Sequence, residues 1–202
     1  VHYLLDNGIG DRENLAIAGH SFGGFSTITG LTFTPKLFKV GFAGAPPTFI
    51  GRSAKYYYRF QKKTHRIDVR HDMKELVVNW DDPDAFAKAY EVSPDNHIEQ
   101  LQRPLIMWAG KNDRRVFIVD VKDYALRAKE KNKPISLFVD PRALHSPNSR
   151  LGLQAYVYLL EKTMATYLGG PLQGLDAKED KALIRFLKKH MVIDHNQLLS
   201  SQ

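Results

Sequence analysis

An α/β fold, with a mostly parallel sheet of about four strands flanked by helices, is what this 202-residue sequence predicts. Three observations carry that expectation. Short apolar runs alternate with longer segments of helical spacing, the order that sets helices between parallel strands. The runs are apolar at nearly every position, as strands covered on both faces are. One of them, Leu15-Ala16-Ile17-Ala18, leads straight into Gly19-His20-Ser21-Phe22-Gly23 and a helix-compatible segment. Strand, tight turn and helix in that order suit a serine held at the apex of a sharp bend.

Taken in order, Val1 to Asn7 reads as the last turns of a helix, stopped by Asn7-Gly8. The chain is thus expected to open inside an element, as a fragment would. After the first strand and its turn, Lys39 to Ala45 forms a second strand closed by Pro46-Pro47. Thr48 to Gln100 holds no strand; its helical stretches are Ser53–Lys62, Met73–Asn79 and Asp84–Tyr90. The last of these is introduced by Asp82-Pro83, an N-cap followed by proline at the first helical position. Arg103 to Gly110 is the clearest strand, an apolar run ending in glycine. Val116 to Lys131 has helical spacing, with Ile118, Val121, Tyr124, Ala125 and Ala128 on one side. Pro134 to Val139 is a fourth strand, Leu151 to Leu168 a long amphipathic helix stopped by Gly169-Gly170-Pro171, and Asp176 to His190 a final helix.

Composition narrows the function. An apolar fraction of 43% and a charged fraction of 25% are those of a globular domain with one sizeable core. No run approaches the roughly eighteen apolar residues of a membrane span, and no signal peptide is visible. The absence of cysteine excludes disulfides and thiolate catalysis. A net charge of +7 comes without any nucleic-acid motif, so it reads as a solvated basic surface. No metal-ligand spacing occurs, and no cofactor is expected. The compartment stays open.

A Gly-x-Ser-x-Gly pentapeptide alone arises by chance in roughly 5% of chains this long. The residues beyond it decide. A serine nucleophile needs a histidine to take its proton and a carboxylate to hold that histidine's tautomer. In an open parallel sheet such groups gather at the carboxyl ends of the strands. Asp113 follows the third strand and His145 the fourth, so the order is serine, acid, base. Ser21 is the expected nucleophile, Asp113 the acid and His145 the base, with the Phe22 backbone N–H as oxyanion donor. Gly19 and Gly23 are expected where a Cβ would clash. His20 should point away from its neighbour Ser21. His65, His71 and His97 are read as surface residues, and His190 and His195 lie in the tail. Asp140 is the rival acid.

The motifs Gly-His-Ser-Phe-Gly-Gly-Phe and Gly-Lys-Asn-Asp-Arg-Arg-Val, then a histidine before an amphipathic helix, resemble the catalytic domain of the prolyl oligopeptidase family of serine peptidases. The resemblance runs from Val1 to about Leu168. It implies a partial α/β-hydrolase fold over 1–168, with 169–202 a helical tail packed on it or extending from it. It also implies a peptide substrate and the triad Ser21, Asp113 and His145. Pro141-Arg142-Ala143-Leu144 departs from the family's acidic, glycine-bearing turn before the histidine. The family's N-terminal propeller and first hydrolase strands, including the second oxyanion donor, find no counterpart. The sequence is therefore expected to be weakly active alone. Its first strand should have one bare edge, covered by the missing portion or by self-association into a homo-oligomer. Aromatics in Arg52 to Phe60 either line the substrate pocket, with Tyr57 and Tyr58 foremost, or simply pack inward while the cations snorkel. A carboxylesterase on the same scaffold, and a non-catalytic half that pairs with its own N-terminal region, remain the alternatives.

Overall fold

A computed structural model of the chain describes residues 1–62, 74–75 and 77–199. Among these, five strands form one sheet in the order β1-β2-β3-β4-β5. They are β1 Ala16–His20, β2 Val40–Gly44, β3 Leu105–Gly110, β4 Ile135–Asp140 and β5 Met191–Asp194. The first four run parallel and β5 is antiparallel to β4. Register places Gly19 beside Ala43, and Trp108 beside Gly44 and Phe138, so the carboxyl ends of the parallel strands lie level along one rim.

Helices α1 His2–Asp6, α2 Phe22–Phe33, α3 Ile50–Lys62 and α4 Pro83–Glu91 precede α5 Ile118–Glu130, α6 Arg150–Leu168 and α7 Lys181–His190. Alternation along the strands sorts the core into two layers. Leu105, Met107, Ile135 and Leu137 meet Ile28 and Leu31 of α2 and Tyr124 and Ala125 of α5 on one face. Ile106, Trp108 and Phe138 meet Ala155 and Leu159 of α6 and Phe186 and Leu187 of α7 on the other. All residues of β2, β3 and β4 are buried, which is why those strands read as unbroken apolar runs.

Strand positions agree with the sequence expectation to within two residues, and α4 is capped as expected. The Asp82 carboxylate accepts from the N–H of Asp84 and of Ala85, with Pro83 in the first turn. Part of the helix expected over Met73–Asn79 lies outside the described residues, and Val78 and Asn79 are not helical. The expected four strands are five, because the tail adds β5. Only Ile193 of its four residues is buried, too short a pattern for periodicity to register. The final helix starts at Lys181, not Asp176, because Asp176 and Asp180 instead hold a turn through Asp176 N–H to Asp180 and Lys178 N–H to Asp176. β1 ends the strand order on the other side, with no residue fully buried.

Candidate active site

At the end of β1 the chain turns sharply, and Ser21 takes φ 59° and ψ −119°. Positive φ is costly for a residue with a side chain and persists only where surrounding structure enforces it. Here the Ser21 N–H donates to the Gly44 carbonyl at 2.8 Å, and the Ser21 carbonyl accepts the Phe25 N–H at 3.0 Å as α2 begins. A Cβ added at Gly19 would lie 2.3 Å from the Gly23 carbonyl oxygen, so the bend needs glycine there. Gly23 departs from expectation: a Cβ would meet nothing within 4 Å, because its carbonyl makes the close approach. Since the Ser21 amide is engaged, the first-turn Phe22 N–H, which has no acceptor within the helix, is the donor left to face a developing oxyanion.

Asp113 and His145 reach Ser21 from the next parallel strand ends. Asp113 sits in the turn after β3, where Oδ1 accepts the N–H of Arg115 at 2.7 Å and of Val116 at 3.0 Å. Its other oxygen, Oδ2, accepts from His145 Nδ1 at 2.8 Å. An ionised carboxylate only accepts, so the proton sits on Nδ1 and the Nε2 lone pair is free to accept. Ser21 Oγ lies 2.8 Å from Nε2 and donates to it. The Asp113 side chain is 3% exposed and that of His145 14%, so the carboxylate is nearly dry while the imidazole remains reachable. The arrangement can move the Ser21 proton to His145 and balance the resulting imidazolium with Asp113.

The rival groups fall elsewhere. Asp140 is buried, but its Oδ1 accepts the N–H of Arg142 and of Ala143, shaping the turn ahead of His145. His20 points across the sheet, with Nε2 2.8 Å from the His145 backbone carbonyl. His97 meets the Glu91 carbonyl, His190 packs on Phe186, and His195 is exposed. His65 and His71 lie outside the described residues. Among the described residues no cluster of three or more His, Asp or Glu could hold a metal ion.

Two clefts flank the Ser21–His145 pair. One of about 180 Å³ is lined by Ser21, Phe22, Pro47, Ile50, Ala54 and Tyr57, among others. The other, about 460 Å³, is lined by Tyr57, Arg114, Arg115, Leu144 and His145. Tyr57 thus borders both. Tyr58 borders neither: its ring stacks on Trp80 with centroids 5.6 Å apart, so of the two readings of this segment Tyr57 fits the pocket liner and Tyr58 the packed ring. The Phe22 ring, 62% exposed beside Ser21, is a liner the sequence reading missed; only its position next to the nucleophile could have flagged it.

A sequence model of the prolyl oligopeptidase family matches residues 1–164. The chain belongs to that family. It is 28% identical to dipeptidyl aminopeptidase BIII of Pseudoxanthomonas mexicana over 177 residues, 84% of this chain and 24% of that protein. It is 26% identical to acylamino-acid-releasing enzyme 2 of Oryza sativa subsp. japonica over 152 residues, 73% of this chain and 19% of the other. The chain spans about a quarter of the length of the curated relatives it matches. Among solved structures, an acylaminoacyl peptidase of Pyrococcus horikoshii superposes with a TM-score of 0.69 at 19% identity, covering 88% of this chain and 28% of the other. At that identity the likeness speaks for the fold, an α/β-hydrolase sheet with flanking helices.

Proposed function

We propose that this chain carries the acyl-transfer centre of a serine peptidase that hydrolyses short peptides. The single observation that carries the reading is His145 held at 2.8 Å from both Asp113 and Ser21. Ser21 attacks the scissile carbonyl while His145 takes its proton and passes it to the departing amine. The Phe22 N–H stabilises the oxyanion, and water activated by His145 then frees the acyl group. The cleft bordered by Phe22, Pro47, Ile50 and Tyr57 accepts a small apolar side chain next to the scissile bond. Family membership and the dipeptidyl and acylaminoacyl peptidases among the relatives support peptides as the substrate class.

The test is covalent. A fluorophosphonate probe should label the wild-type chain once, on Ser21, and leave Ser21→Ala unlabelled; labelling that survives the substitution refutes the assignment. Paired peptidyl anilides and esters then separate peptidase from esterase, since only a peptidase turns over both.

A further inference from the structure

We infer that His20 is a positioning residue for the reaction proposed above: it holds the backbone of His145 while Asp113 holds its ring. This rests on the reading of His145 as the base. The loop from β4 to α6 is tied down at its start. The Asp140 carboxylate accepts from Arg142 and Ala143, and Asn112 donates its N–H to the Ala143 carbonyl at 3.0 Å. Two residues further on, His20 Nε2 lies 2.8 Å from the His145 carbonyl oxygen. A carbonyl only accepts, so His20 carries its proton on Nε2. Its Nδ1 then accepts, and the Tyr156 hydroxyl of α6 stands 3.4 Å away to donate.

Three elements make room for this contact. A Cβ at Gly44, the last residue of β2, would lie 2.6 Å from both His20 Nδ1 and the Tyr156 oxygen. The Trp108 ring of β3 stands 6.2 Å from His20 and 5.3 Å from Tyr156, closing the compartment from below. The His20 and His145 rings themselves lie 5.2 Å apart, edge to face. Desolvation lowers the pKa of His20 below its ordinary value, against the hydrogen bond to the His145 carbonyl, which raises it. Burial raises that of Tyr156. Both groups are thereby kept neutral, which suits their task. A second imidazolium so near would oppose the charge His145 acquires during catalysis, whereas a neutral N–H tether leaves it undisturbed.

The two anchors constrain different freedoms. Asp113 sets the rotation of the imidazole, and His20 sets the point on the loop from which that imidazole hangs. With the second anchor lost, Nε2 drifts from Ser21 Oγ, although the pocket that receives the acyl side is untouched. The loss therefore belongs in the rate of bond making and not in binding.

The experiment compares the wild type, His20→Phe and His20→Gln. Phe keeps a ring against Trp108 and Tyr156 but has no donor; Gln returns an amide N–H near the position of Nε2. With a fluorophosphonate, the maximal labelling rate of His20→Phe should fall roughly 10- to 100-fold, with half-saturation unchanged, as for a displacement of about 1 Å. His20→Gln should recover most of the rate. In parallel, NMR should show the His145 Nδ1–H resonance retained in wild type and Gln and broadened away in Phe. The ¹⁵N shifts of wild-type His20 should report a proton on Nε2. Labelling of His20→Phe at the wild-type rate, or a wild-type His20 protonated on Nδ1, overturns the inference. Wild-type protein that is never labelled refutes the proposed function instead, and the two NMR readouts still decide the role of His20. If His20→Phe fails to fold, the tautomer measured on the native chain decides it alone.

Discussion

Ser21, Asp113 and His145 stand 92 and then 32 positions apart in the sequence, and each was legible because each follows an apolar run. Parallel strands bring their carboxyl ends to one rim, so position after a strand is already spatial information. Replacing Asp113 by Asn should leave the fold intact and lower the labelling rate of Ser21 by about 10⁴-fold, since the amide favours the wrong tautomer of His145. The role of His20 was not legible. A hydrogen bond to a backbone carbonyl 125 residues away has no sequence pattern, and adjacency to the nucleophile suggested only that the ring points elsewhere. Tyr57 and Tyr58 show a second limit: in a run of three tyrosines, the phase of the helix decides which ring meets the cleft. Two partly buried histidines also make acid stability predictable. His20 and His190 are both depressed below 6.5, chiefly by burial, so the unfolded chain takes up protons more readily. Unfolding free energy should therefore be flat above about pH 6.5 and decline as pH falls below it. Urea titrations at several pH values check this, and His190→Gln should flatten the slope.

At the level of elements, the strand–helix alternation was readable because β2, β3 and β4 are apolar on both sides, while α6 ends at glycines. The fifth strand escaped because it offers one buried side chain and comes directly after α7, without a turn signal. What the β3 strand end does for the site was equally hidden. A Cβ on Gly110 would fall 1.9 Å from the Leu144 carbonyl oxygen, so the loop bearing His145 lies directly on the glycine. Gly110→Ala should push Leu144 and His145 outward and break the bond to Asp113. We expect a properly folded protein by circular dichroism whose phosphonate labelling falls at least about 100-fold. A wild-type labelling rate would mean the loop yields without moving the imidazole.

For the molecule as a whole, the two margins of the sheet differ. On one side β5 is short and antiparallel, and Asp194 accepts the N–H of Leu198 and of Leu199 to fold the next turn back onto it. On the other side, among the described residues, β1 has a neighbour only in β2. Short edge strands resist further pairing, whereas a parallel edge of small apolar residues invites it. The 202-residue chain should therefore self-associate through β1, raising its sedimentation coefficient with concentration, and Ala18→Lys should shift it toward monomer. A wild-type monomer at all concentrations, with fast amide exchange along β1, would contradict this. The open margin is also the strand that ends in the serine. A neighbour paired with β1 should therefore stiffen the strand end that bears Ser21, whereas Asp113 and His145 follow β3 and β4, further inside the sheet.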